Sequence, residues 1–139
     1  MSHAGKRCAL LADRHLVVSE GIRDILESSF DTVFLVSNSA SLKVGAKRLA
    51  PALILLDLAM GGENAAKCIR TIRKASPQSR MIVLTSHDQA LVASLVLSAG
   101  SDSVVLRHCI GRDLLPAVDA VMRGERYASP EFGEVLNTP

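Results

Sequence analysis

Ala52-Leu53-Ile54-Leu55-Leu56-Asp57-Leu58-Ala59-Met60-Gly61-Gly62 is the stretch on which the fold turns. Its five leading apolar residues read as a strand buried on both faces, with a carboxylate at the exit and glycines that turn the chain straight afterwards. A second run, Cys8-Ala9-Leu10-Leu11-Ala12, delivers Asp13 in the same way. Ligands of open α/β sheets bind outside the carboxyl ends of the strands, so the two acids are expected to share one rim.

Three further apolar runs, Thr32 to Val36, Met81 to Leu84 and Ser103 to Leu106, make five in all, counting Leu53 to Leu56. They alternate with five stretches of helical periodicity, which predicts a parallel sheet with helices on both faces. In the first helix Val18, Ile22, Ile25 and Leu26 form the buried stripe. Ser39 or Ser41 is expected to cap a second helix that Pro51 ends. A third is predicted over Asn64 to Ala75, with Ala65, Cys68, Ile69 and Ile72 inward. A nearly all-apolar fourth runs from Gln89 to Ala99 and stops at Gly100. The fifth is predicted over Arg112 to Arg123, with Pro116 placed in its first turn and Gly124 as terminator. Glu125 to Pro139 reads as a tail or linker.

At 139 residues the chain suits one domain with one core. Three Phe, one Tyr and no Trp argue against a base-stacking platform. The formal charge of +2 lacks a clustered basic run. Lys67, Arg70 and Lys74, with Arg73 nearby, read as a solvated helix face, and any DNA binding is expected elsewhere. Three widely spaced cysteines, Cys8, Cys68 and Cys109, with no signal peptide ahead of them, point to structural thiols in a reducing interior, by default the cytoplasm. No apolar stretch reaches the roughly 20 residues that span a bilayer.

The loops carry neither the Gly-x-x-x-x-Gly-Lys-Ser/Thr of a phosphate-cradling loop nor the Gly-x-Gly-x-x-Gly of a dinucleotide site, and the first turn, Asp13-Arg14-His15, offers charge instead. Taken together, Leu10-Leu11-Ala12-Asp13, His15 to Leu26 with Glu20-Gly21, Leu55-Leu56-Asp57-Leu58-x-Met60, Val83-Leu84-Thr85 and Gly124-x-Arg126-Tyr127-x-Ser129-Pro130-Glu131 resemble the receiver domain of two-component response regulators of the NarL/LuxR-like group over about residues 6 to 131. The resemblance implies a flavodoxin-like (βα)5 sandwich, five strands in the order 2-1-3-4-5. It implies a signalling module rather than an enzyme, with a receiver over residues 6–124 and a linker over 125–139 leading to a helix-turn-helix output domain that is missing here. By motif position Asp57 is the phosphoacceptor for a histidine kinase, Thr85 the switch hydroxyl, and Arg107 the substitute for the family's lysine. Asp13, Asp57 and the backbone carbonyl of Ala59 are the implied ligands of Mg²⁺. A homodimer is expected, and DNA is expected to be reached only through the output domain.

The departures from the family pattern concern the same rim. Arg14 stands where a second acid usually contacts the metal, and its charge is expected to weaken Mg²⁺ binding. Val104 replaces the aromatic that couples to the switch hydroxyl, and Gly61 replaces a proline. Two mechanisms follow: phosphorylation of Asp57 with Arg14 and Arg107 clamping the product, or a phosphorylation-independent pseudo-receiver in which Arg14 pairs with Asp57 in place of the metal. A flavin or nucleotide carrier and a pure interaction module using the fourth helix are the alternatives of other classes. His15, His87 and His108 have no base-and-nucleophile partner in the sequence, which argues against a hydrolase.

Overall fold

The computed structural model describes residues 7–137. Lys6, where the resemblance begins, and the Val18 side chain lie outside the described residues. The strands are β1 (Cys8–Ala12), β2 (Thr32–Val36), β3 (Leu53–Asp57), β4 (Arg80–Thr85), β5 (Ser103–Leu106) and β6 (Tyr127–Ala128). The helices are α1 (Leu16–Leu26), α2 (Ser39–Leu49), α3 (Ala65–Ala75), α4 (Ala90–Ala99) and α5 (Ile110–Met122). All strands pair in parallel, in the order β2-β1-β3-β4-β5-β6.

The alternation of side chains along each strand divides the apolar residues between two cores. Leu10, Ile54, Leu56, Met81, Val83 and Val104 face α2, α3 and α4, whereas Leu11, Leu53, Leu55, Ile82, Leu84 and Val105 face α1 and α5. That is why the central runs are continuously apolar. β2 departs from the expected two-sided burial because it is an edge strand, and Phe34 on it is 40% exposed.

The sheet has six strands where five were expected. Gly124, in the left-handed region at φ 83°, ends α5 and redirects the chain along the free edge of β5. There Tyr127 pairs with Ser103 and Ala128 with Val104. The stretch expected as a linker thus packs on the domain as far as Asn137, with Phe132 and Val135 buried in the α4-side core. Sparse apolar residues suffice because both land at the end of the sheet.

Local details also shift. Asn38, rather than a serine, caps α2, its side chain accepting the Ser41 N–H at 2.8 Å. α5 begins two residues earlier than predicted, so Pro116 sits in the helix interior, not its first turn. It lies on the exposed side of the helix.

Candidate functional site

Asp13, Asp57 and Thr85 emerge at the carboxyl ends of β1, β3 and β4, and all three are buried, between 1 and 5% exposed. Each folds back on its own turn. Asp13 Oδ1 accepts the His15 N–H at 3.0 Å, Asp57 Oδ1 the Ala59 N–H at 3.1 Å, and Thr85 Oγ1 the His87 N–H at 3.0 Å. Short polar side chains form such turns readily where ladder pairing stops. The consequence is orientation: one oxygen of each carboxylate is committed to the backbone and Oδ2 is left for tertiary partners.

Arg107, the first residue after β5, supplies that partner. Its Nη1 lies 3.2 Å from Asp13 Oδ2 and 2.9 Å from Asp57 Oδ2, tying the two strand exits together. One guanidinium faces two buried carboxylates, so the site keeps an excess negative charge. His15 stands at its edge, Nδ1 3.4 Å from Asp13 Oδ1, with its own side chain 65% exposed.

The pairing of Arg14 with Asp57 that the second mechanism requires is not formed. Arg14 is exposed and makes no ion pair among the described residues. The turn that draws the His15 N–H back over Asp13 leaves Arg14 at its outer corner, and Arg107 occupies the place between the acids. The Ala59 amide is turned to Asp57.

A cavity of about 180 Å³ opens beside Asp57, lined by Ala59, Gly62, Thr85, Ser86 and His87 among others. Gly62 shapes its wall in a conformation, φ 61° and ψ −139°, that suits glycine alone. At Gly61 a Cβ would come within 3.0 Å of the Ala65 Cβ and 3.3 Å of the Cys68 Cβ, so α3 packs directly on the turn and a larger residue there would displace it.

Behind Arg107 lies a polar network not anticipated as a unit. Asp113, buried in the first turn of α5, accepts two bonds from Arg112 at 2.8 Å each, one from Tyr127 Oη at 2.8 Å and one from Ser129 Oγ at 2.7 Å. Ser129 Oγ also accepts the Leu106 N–H at 3.0 Å, one residue before Arg107. Arg112 continues to Glu131 at 2.6 and 3.0 Å. The Arg112 guanidinium, chiefly, holds the Asp113 carboxyl down at about 2 despite burial, with Ser129 and Tyr127 contributing. Burial and the bond to Asp113 push Tyr127 up to about 12. The sequence signal was an acid in the first turn of a helix followed by Tyr127, Ser129 and Glu131 of the Gly124–Glu131 motif, with the two hydroxyls at strand spacing.

Residues 9–119 match the response regulator receiver domain family. The chain belongs to that family. It is 34% identical over 125 residues to the response regulator protein VraR of Staphylococcus aureus (strain NCTC 8325 / PS 47), a match covering 88% of this chain and 59% of VraR. The chain thus spans about three fifths of the length of the curated relatives it matches. In three dimensions it resembles the isolated REC domain of RcsB from Salmonella enterica serovar Typhimurium in the apo form, with a TM-score of 0.79, 26% identity and coverage of 96% of this chain and 100% of that one. It also superposes on RcsB in an RcsB–DNA complex, with a TM-score of 0.82, 26% identity and coverage of 94 and 67%. A LuxR-family regulator from Aurantimonas sp. SI85-9A1, at 22% identity and a TM-score of 0.83 over 94 and 95% of the two chains, shares the fold. The receiver fold and the response-regulator family are those the sequence motifs implied.

Proposed function

We propose that this receiver accepts a phosphoryl group on Asp57 from the phosphohistidine of a histidine kinase, and that Arg107 is the cation that organises the site. The observation that carries this reading is the Arg107 bridge between Asp13 and Asp57 beside a cavity lined by Thr85. Asp57 Oδ1 is fixed to the backbone, so Oδ2 is the nucleophile: it attacks phosphorus in line, the P–N bond to the kinase imidazole breaks, and the electron pair returns to the imidazole nitrogen. Arg107, already on Oδ2, exchanges the carboxylate for the incoming phosphoryl oxygens, a planar fork well matched to them. Thr85 Oγ1 accepts from the His87 N–H and keeps its own proton for donation to the phosphoryl group.

The Asp13 and Asp57 carboxylates are hard oxygen donors with charge left over after Arg107, so they fit Mg²⁺. Bound there with the Ala59 carbonyl, the ion would offset repulsion between carboxylate and phosphoryl donor. Arg107, rather than Arg14, is then its competitor. The protein as a whole is read as a signalling regulator of transcription in a reducing cytoplasm, acting as a homodimer through an output domain beyond the linker.

Intact-protein mass after incubation with acetyl phosphate, with and without Mg²⁺, tests the site. The expected result is a phosphoryl mass increase lost in Asp57→Asn, with the metal-free yield falling at least tenfold in Arg107→Gln. The second reading is a pseudo-receiver locked by Arg107, favoured by the same two ion pairs. It gains if the wild type stays unmodified while Arg107→Lys or Arg107→Gln becomes labelled. Labelling of Asp57→Asn at the wild-type level would end both.

A further inference from the structure

α2 and α3 lie side by side on one face of the sheet and share one core. Together they hold seven of the chain's sixteen Lys and Arg and none of its fourteen acids. Arg73 is engaged in hydrogen bonds to Gly100, Pro77 and Ser79 carbonyls and to Asp102. The other six, Lys43, Lys47, Arg48, Lys67, Arg70 and Lys74, are exposed, and none forms an ion pair among the described residues. Because the whole chain carries only +2, the rest of it is net acidic and the positive field is one-sided. Lys67, Arg70 and Lys74 alone read as an ordinary solvated face. The fold doubles that row by laying α2 against it.

Between the helices a groove of about 250 Å³ is lined by Ser39, Lys43, Asn64, Lys67 and Thr71, with no acid on its wall. Hydroxyl, amide and ammonium donors therefore converge on a place suited to an anionic oxygen. Surfaces that serve solubility alone intersperse both signs.

We infer that the α2–α3 face docks on the phosphate backbone of duplex DNA without reading its sequence. An eleven-residue helix is about 16 Å long, and that length of duplex presents roughly nine phosphate charges, enough to meet all six cations. Neither helix carries an aromatic residue on which bases of a single strand could stack. A membrane surface fits less well, since the apolar stripes, Leu42 with Ala46 and Cys68 with Ile69 and Ile72, are consumed by the core. Val44 and Leu49 are the large apolar side chains exposed on these helices, too few to insert. Such a contact would add affinity, not specificity, to whatever sequence-reading module accompanies the receiver.

The test is fluorescence anisotropy of short labelled duplexes of two unrelated sequences, titrated with the 139-residue chain over a salt series. Six phosphate contacts predict a log–log salt slope of about −5, or a roughly thousand-fold loss of affinity between about 50 and 200 mM salt, equal for both sequences. Replacing Lys43, Lys47, Lys67 and Arg70 together by Gln should lower affinity more than about a hundredfold and bring the slope to about −2. Arg126→Gln, outside both helices, should change neither. Amide shift changes on the unaltered protein, confined to residues 39–49 and 60–75, are the expected footprint. No binding at the lowest salt, a footprint elsewhere, binding that survives the fourfold substitution, or tighter binding to polyglutamate or to phosphatidylserine vesicles would overturn the proposal.

Discussion

Asp113 accepts from three different side chains while almost fully buried, and its ionisation is therefore part of the fold's stability. Its carboxyl is held at about 2 in the native protein, below the ordinary aspartate value. A depressed native value means that its contribution is complete above about pH 4, the unfolded range, and is lost as pH falls towards 2. Asp113→Asn should be less stable than wild type by about 2–3 kcal/mol at neutral pH, since it withdraws the charge from Arg112 and from two hydroxyl donors. Between pH 4 and 2 the two proteins should converge. Urea midpoints taken at several pH values check this, and parallel curves would show that Asp113 titrates as in the unfolded chain. Because Ser129 joins Asp113 to the Leu106 N–H, the same variant loosens the backbone that aims Arg107 at the acids. The buried aliphatic Val104 offers no aromatic relay, and this network is the hydrogen-bonded route from the rim to β6.

At the scale of elements, periodicity identified the five α-helices and five of the six strands, because continuous apolar runs and three-four spacing are properties of neighbouring residues. The exits of those runs also located Asp13 and Asp57, and the family resemblance singled out Thr85 at a third exit. β6 escaped because two half-buried residues leave no periodic trace, and the Arg107 bridge escaped because its partners are 94 and 50 residues away. The termini were legible in kind but not in register. α2 illustrates why. It is capped by Asn38 at one end and, at the other, leaves through Ala50 in the left-handed region, φ 41° and ψ 57°, to reach Pro51. An alanine there costs roughly 1–2 kcal/mol in steric strain, a cost Gly avoids. Part of that gain returns as the entropy of a freer unfolded chain. Ala50→Gly should therefore raise stability by about 0.5–1 kcal/mol, read as a higher urea midpoint with unchanged m-value. A fall would indicate that Ala50 adopts another conformation in solution.

Across the whole molecule, two arginine bridges, Arg107 and Arg73, occupy opposite ends of the sheet. The carboxyl ends gather Asp13, Asp57, Thr85 and Arg107, where two acids and one cation leave charge unbalanced. At the amino ends of β4 and β5, Arg73 reaches out from α3 to join the Gly100 carbonyl after α4 at 2.9 and 3.1 Å, the Ser79 carbonyl before β4, and Asp102 Oδ2 at 3.0 Å before β5. Asp102 passes the connection on by accepting the Met81 N–H at 2.9 Å. One guanidinium thus pins two helices and two strand starts, every donor matched by an acceptor. The asymmetry follows from the parallel fold, which brings all five βα turns to one end for ligands and leaves the returning connections at the other for structure. Arg73→Ala strips partners from three carbonyls and a half-buried carboxylate, at about 3 kcal/mol. For a domain of this size that lowers Tm by roughly 10 °C. Since the clamp touches none of the rim residues, the rate of acetyl phosphate labelling at a temperature where the variant remains folded should equal that of the wild type. Calorimetry and the labelling assay read the two effects separately. A variant with unaltered Tm would remove the clamp from the account, whereas a slowed reaction at full foldedness would show that the two ends of the sheet are coupled.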